Sequence, residues 1–573
     1  MDNRRIEIIN AGSHPADCLA RWRELKVGRR IWRRDPGLWL SGARPDEVIP
    51  DLSNRLGWLE LPGKMMSRLP EFTAFAREVT AAGFTRAVVL GMGGSSLIAE
   101  VWAEVFGPGP GGLPVSVLDS THPRAVAAVE AAGPLESTLF LVASKSGGTL
   151  ETLSFCSYFY DRLASLRDRP GENFIALTDP GSQLERLAEE KGFYRIFSTP
   201  PEVGGRFSAL TEFGLVPAAL LGLPLEEVVG QAAAMAAACG PGIPEADNPA
   251  LQLGAFLGRL AAVGRDQLSL LLAPGLRPFA VWLEQLLAES TGKKGRGLVP
   301  LIMAGDEPEF LPPGENRSRM GLFIGCEGDD DEWLKLGWEA FAKARVPAAR
   351  LILPGPAALG AELWRFEMAT AAAAIELQIN PFDQPDVESA KVRARDAIRA
   401  RRQQGVLPEP PRLGPEEAGL RVSGSPHFAA TDSLETGLSA WFSAARPGDY
   451  LALLAYLPPV PEIECELEKL KVALELKSRL PVCLGFGPRY LHSTGQLHKG
   501  GANRGLFLML AGEFDEDRPL PGEEFGFATL VAAQYRGDFQ ALSAAGRRIL
   551  LVEGAALSGR EIVAAVGSFL GRF

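Results

Sequence analysis

Two glycine- and hydroxyl-rich segments stand where a short β-branched run gives way to a helical one. The first, GMGGSS over Gly91 to Ser96, follows RAVVL and precedes LIAEVWAEVF. Glycines at such a turn let the backbone approach a ligand closely, and a new helix offers unpaired N–H groups and a positive dipole end to an anion. This chemistry suits a phosphate. A Rossmann-type dinucleotide loop is an alternative, but the spacing is G-x-G-G-S-S rather than G-x-G-x-x-G. A plain tight turn is another. The second segment, SKSGGTLET over Ser144 to Thr152, follows LFLVA. It supplies hydroxyls at Ser144, Ser146 and Thr149, a cation at Lys145 and pliable backbone at Gly147 and Gly148. A Ser/Thr helix cap would use the same residue types. Two such loops on neighbouring strands argue for a ligand more strongly than one, because open sheets bind ligands at their strand C-terminal ends.

Four further clusters carry chemistry. In GGRFSALTEFG, Gly205 allows close backbone approach and Arg206 suits oxyanion charge, or is a solvated arginine after a turn. In LEQLLAESTGKKGRG, Glu289 ends an apolar helical stretch, where a carboxylate is either a surface group or, once desolvated, a base. In INPFDQPDVESAK, Gln384 and Lys391 stand seven apart across a helix start, so both can face one pocket or lie on a solvated face. HSTGQLHKGG holds His492 and His498, two of only 5 histidines, in a loop between strand-like runs. A satisfied core histidine is the alternative for either.

The elements that must position these residues are α/β. Short runs RAVVLGM, LPVSVLD, STLFLVAS and NFIALTD, each followed by a plausible helix, mean a parallel sheet with helices on both faces. Residues 1–80, broken at Asp35-Pro36-Gly37 and Leu61-Pro62-Gly63, read as a helical N-terminal cap. A first unit then covers 81–229. After alanine-rich helical text, DQLSLLLAP, MGLFIGC and AARLILPG mark a second unit over 230–401, a candidate structural copy of the first. The Pro/Gly-rich stretch 402–426 reads as a linker. YLALLAYL, a charged helix over 462–480, RLPVCLGFG and GLFLMLAG make 427–573 a C-terminal α/β segment.

At 573 residues the chain exceeds a single core. No apolar run approaches the roughly 18 residues of a membrane helix, and no apolar stretch follows the basic residues at the N-terminus, so a cytoplasmic location without membrane contact is expected. The 6 cysteines lack a CxxC pair, which argues against structural zinc and disulfides. A net charge of −11 disfavours nucleic acid but leaves an anionic small substrate open.

GMGGSS, SKSGGTLET, GGRFSALTEFG, AESTGK and NPFDQPDVESAK stand in the order found in glucose-6-phosphate isomerases, which the chain resembles over residues 85–391. RDPGLWL, NRLGWLELP and HSTGQLHKGG resemble the isomerase half of bacterial transaldolase/isomerase fusions. The text before Gly91 is too short for a transaldolase barrel with its Schiff-base lysine. The resemblance implies tandem three-layer sugar-isomerase domains and an aldose-ketose isomerase that needs no metal or organic cofactor. It implies a phosphate cradle of Gly94, Ser95, Ser144, Ser146 and Thr149 with Lys145 and Gln384 close by, and Gly205 and Arg206 facing the reacting carbons. Glu289 matches the family's acid/base, which moves a proton between C2 and C1 through a cis-enediolate that Arg206 stabilises. Lys391 matches the lysine that opens the sugar ring together with a histidine. Gly148 stands where the family has one more threonine. The family's ring-opening histidine lies in a Gly-Gln-His segment before the glutamine motif and is lent by the neighbouring subunit. Here the matching text follows Lys391, which assigns His498, with His492 second. A homodimer and a separate transaldolase partner follow as expectations. A broader phosphosugar isomerase, acting on mannose 6-phosphate for example, and a non-catalytic sugar-phosphate sensor are the competing readings. Glu289, Gln384 and Lys391 argue against the sensor, which needs no base.

Overall fold

The computed structural model describes residues 5–44, 47–303, 311, 317–329, 331–512, 514, 517–554 and 556–571, the Leu570 side chain excepted. Its strands form three mostly parallel five-stranded sheets, each flanked by helices. The expected fold class is what the chain adopts. In the first sheet the order is Val115–Leu118, Arg86–Gly91, Thr138–Ala143, Phe174–Thr178 and Arg195–Ser198, all parallel. Thr138–Ala143 is buried at every position, as a strand covered on both faces must be.

The other two sheets repeat one plan. Gln267–Leu272, Val299–Ile302, Arg319–Cys326 and Ala348–Leu353 lie in the spatial order second, first, third, fourth, and Glu7–Ile9 adds an antiparallel edge. Tyr450–Tyr456, Val482–Phe486, Gly505–Gly512 and Arg548–Gly554 lie in the same order, with Arg421–Gly424 as antiparallel edge. The first four strands of the first sheet share that order too. The C-terminal segment is therefore a third unit of like topology.

Three expectations need correction. The N-terminal segment is not wholly helical, because Glu7–Ile9 pairs with Ala348–Leu353. Leu61-Pro62-Gly63 starts the helix Leu61–Met66 rather than breaking one, since proline in a first turn gives up no intrahelical hydrogen bond. The stretch 402–426 is shorter as a connector than its composition implies: the helix Glu388–Gln404 runs into it, and Arg421–Gly424 is a strand.

Cores cross the unit boundaries. Trp22, Trp39 and Trp58 of the N-terminal segment share one cluster with Val89 and Leu141 of the first sheet and with Leu283 and Trp364 of the second unit. A second cluster joins Val88, Phe140 and Val142 to Ile398, Phe527 and Leu530. A third joins Ala288, Val299 and Leu301 to Tyr450, Leu497 and Val531. Each fully buried aliphatic or aromatic side chain contributes about 2 kcal/mol, so these seams hold the units together. Among the described residues no helix is long and apolar enough to cross a membrane.

Candidate active site

A cavity of about 300 Å³ opens where the three units meet. Its floor is the C-terminal edge of the first sheet. Arg86–Gly91 leads into the turn Gly93–Ser95, and Thr138–Ala143 into the loop capped by Thr149 at the helix Leu150–Ala164. Gly94, Ser95, Lys145, Ser146 and Thr149 line it. Ser144 is buried just behind, its Oγ 2.9 Å from Thr149 Oγ1, so it orients that hydroxyl. At Gly94 a Cβ would stand 2.2 Å from the Gly205 carbonyl oxygen, a distance no side chain tolerates; glycine lets the two loops touch. Gly205 itself also lines the cavity, and a Cβ there would meet nothing within 4 Å.

Lys145 donates to both oxygens of Asp179, at 2.7 and 2.6 Å, and to the Pro200 carbonyl. Burial lowers its pKa, and the Asp179 ion pair opposes the shift. Arg55, from the N-terminal segment, reaches the same end; Asp51 and the Pro201 carbonyl hold it.

Glu289 lies in the last turn of Arg277–Thr291, a helix whose Phe279, Leu283, Leu286 and Leu287 pack inward. Its side chain is 13% exposed, to the cavity. One carboxylate oxygen stands 3.0 Å from Arg206 Nη1, and the other accepts from Gln285 Nε2 at 3.1 Å. Arg206 is almost wholly buried. It donates to Ser290 Oγ, Gln384 Oε1 and the Pro381 and Asp383 carbonyls at 2.6–3.0 Å. Burial pushes its pKa down and Glu289 opposes that; an arginine keeps its charge regardless. Gln384 and Lys391 both line the cavity, Gln384 from the segment before the helix Glu388–Gln404 and Lys391 from its first turn.

The two histidines separate. His492 is in the cavity wall, in the short turn Arg489–His492 that follows Val482–Phe486 of the third sheet. Gln285 Nε2 donates to its carbonyl at 2.7 Å, and its Nε2 is 3.3 Å from Glu151 Oε1. Burial would raise the Glu151 pKa, but the hydrogen bond and charge of His492 hold it down at about 2, so it is a carboxylate. His498 is not at the cavity. In the helix Gly495–Gly500 it is 2% exposed, packed against Tyr450, Tyr490 and Phe507, with Nδ1 3.2 Å from the Tyr450 hydroxyl. Burial in that aromatic nest, helped by Lys499 and Arg547, depresses its pKa to about 3, so it is neutral. The preference for His498 is therefore reversed: a Gly-Gln-x-His match cannot show which face of a short helix is buried.

Asp51, Arg55, Asp179, Gln285 and Glu151 do not stand out in the sequence. Glu151 and Gln285 lie inside two of the motifs above, Arg55 in NRLGWLELP and Asp179 at the end of NFIALTD, but nothing local marks any of the five as a site residue.

A phosphoglucose isomerase family model matches residues 66–297. Glucose-6-phosphate isomerase of Rubrobacter xylanophilus is 30% identical over 409 residues, which cover 61% of this chain and 93% of that one. The chain belongs to the phosphoglucose isomerase family. The enzyme of the same name from Carboxydothermus hydrogenoformans is 31% identical, over 59% of this chain and 83% of its own. In fold, the chain is similar to a hypothetical protein of Thermus thermophilus (TM-score 0.59, 23% identity, 69% of this chain and 100% of that one). It is also similar to a glucose-6-phosphate isomerase of Chlamydia trachomatis (TM-score 0.55, 21% identity, 67% and 86%). Membership makes the chain an isomerase; GMGGSS, SKSGGTLET, GGRFSALTEFG and AESTGK lie inside the matched span, and NPFDQPDVESAK and HSTGQLHKGG lie beyond it.

Proposed function

We propose that the chain interconverts glucose 6-phosphate and fructose 6-phosphate by proton transfer between C2 and C1. The observation that carries this reading is Glu289, a carboxylate facing the cavity and held between Arg206 and Gln285, opposite a hydroxyl-lined end able to hold a phosphate.

In this reading Ser146 and Thr149, backed by Ser144 and Lys145, take the phosphate with Ser95 and the Gly94 backbone. The phosphate fixes the chain of carbons so that C1 and C2 lie at Glu289. Orientation of this kind is itself worth several kcal/mol of barrier. Glu289 removes the C2 proton from the open-chain aldose. As its charge is neutralised, the Arg206 guanidinium is freed from its partner and meets the negative charge growing on the cis-enediolate oxygens. The arginine is already fixed by four other acceptors, so no reorganisation is needed at that moment. Glu289 then delivers the proton to C1. His492, polarised by the Glu151 carboxylate, and Lys391 exchange protons with the ring oxygen and the C1 hydroxyl, which opens the cyclic sugar first.

A coupled assay on the purified protein and on Glu289→Gln tests this. Turnover of both sugar phosphates in the wild type, with a loss of about a thousandfold in kcat for the variant, is expected for a lost acid/base. A variant at full rate removes Glu289 from the reaction, and a wild type that binds fructose 6-phosphate without turnover makes the chain a sensor.

A further inference from the structure

The cavity is walled by three units of one polypeptide. The first gives the hydroxyl loops, the second gives Gln285 and Glu289, and the third gives Leu491 and His492. His492 is the one histidine among the described lining residues, and both groups that hold it come from the other two units: Glu151 from the first and Gln285 from the second.

The third unit is seated as tightly as a core. Three residues before His492, Arg489 makes ion pairs with Glu100 and, at 3.3 Å, Asp119 of the first unit. Four residues after it, Gln496 Nε2 donates to the Gly292 carbonyl at 2.9 Å and to Asp386 Oδ2 at 2.6 Å, while its Oε1 accepts from the Asp386 N–H at 2.9 Å. A Cβ on Gly292 would stand 2.3 Å from Leu497 Cα, so the helix Arg277–Thr291 and the segment around His492 touch backbone to backbone. The helices Glu388–Gln404 and Phe527–Ala544 pack just as closely at Gly537 and Ala394. The turn carrying His492 is thus pinned on both sides by its own chain.

We infer that the third unit is a catalytic domain acting within its own chain: it supplies His492 in cis, so one polypeptide forms a complete site and no second copy lends a ring-opening group. The inference rests on the isomerase reading above. It removes the lent histidine as a ground for expecting a homodimer, whatever the protein's oligomeric state.

Complementation between two inactive variants tests it. Glu289→Gln and His492→Ala, carrying different affinity tags, are co-expressed and the doubly tagged species, or the mixture if none forms, is assayed with glucose 6-phosphate. The expected result is no more activity than the two variants show separately. Recovery of about half of wild-type turnover in the doubly tagged species, or of about a quarter in the unfractionated mixture where the two variants pair at random, overturns the inference. Where a variant does not fold, the wild type alone decides: turnover per chain stays constant on dilution into a range where mass photometry counts single chains, and its loss on dissociation overturns the inference. A wild type without isomerase turnover at any concentration is the different result, failure of the isomerase reading itself.

Discussion

The hydroxyl-lined end of the cavity is local to one sheet. Ser95, Ser144, Ser146 and Thr149 all lie in two loops that leave adjacent strands, and their geometry follows from strand register and helix caps. The carboxylate end is assembled from afar. Glu289 closes a helix of the second unit, Arg206 leaves the first, Gln384 precedes the helix Glu388–Gln404, and His492 comes from the third sheet. The first end needs only a correctly folded βα unit, whereas the second exists only when three units dock. Phosphate binding and proton transfer should therefore fail separately when each end is damaged.

The largest break is expected at Arg206. Arg206→Met removes the charge that meets the enediolate and leaves Glu289 without its ion-pair partner. A fall of about a thousandfold in kcat/KM is expected, together with a loss of several kcal/mol of stability, the usual cost of stripping one partner from a buried pair. Denaturant melts and steady-state rates on one preparation check both. A variant with nearly unchanged kcat would take Arg206 out of the proton-transfer end.

The histidines sharpen the contrast next. His492→Ala should lower kcat about a hundredfold on the cyclic sugar, the scale of a lost general acid/base. His498→Ala should instead keep kcat within a small factor while a cavity among Tyr450, Tyr490 and Phe507 costs about 2 kcal/mol. Equal kinetic damage from both would erase the distinction between a cavity histidine and a core one.

This split also decides what can be read from the sequence. Alternating short strands and helices mark the α/β class, and the two hydroxyl loops are visible because a phosphate cradle is contiguous in the chain. Glu289 and Arg206 are visible only as types in suggestive company; their 3.0 Å pairing is tertiary. His492 and His498 sit six residues apart in one segment, and choosing between them requires knowing which turn faces the seam. Residues such as Arg55 and Asp179 carry no signal, since a solvated ion pair and a cavity wall look alike in sequence. The edge strand Glu7–Ile9 is hidden for a like reason: three residues gain strand identity only from the partner they meet.

At the hydroxyl end a smaller effect is expected. Thr149→Val keeps the volume of the cap residue and removes its hydroxyl, so KM for either sugar phosphate should rise about tenfold while kcat changes little, the signature of lost uniform binding. A kcat drop larger than the KM rise would mean that the phosphate end also tunes the chemistry, against the division drawn above.

The mildest prediction concerns His498 alone. Its pKa in the fold is about 3, against 6.5 for an unperturbed histidine, because burial among aromatic rings disfavours the cation. Between those values the unfolded chain binds a proton that the native state refuses. Stability is therefore undiminished above pH 6.5 and falls as the pH drops towards 3, where the native ring protonates as well. At pH 6 the cost is about 1 kcal/mol and it steepens towards 1.4 kcal/mol per pH unit below. His498→Phe removes this titration, so the stability gap between variant and wild type should shift by that amount in the variant's favour from pH 8 to pH 6, measured by urea denaturation at each pH. A gap independent of pH would mean that the ring is already hydrated and that the aromatic nest is not closed.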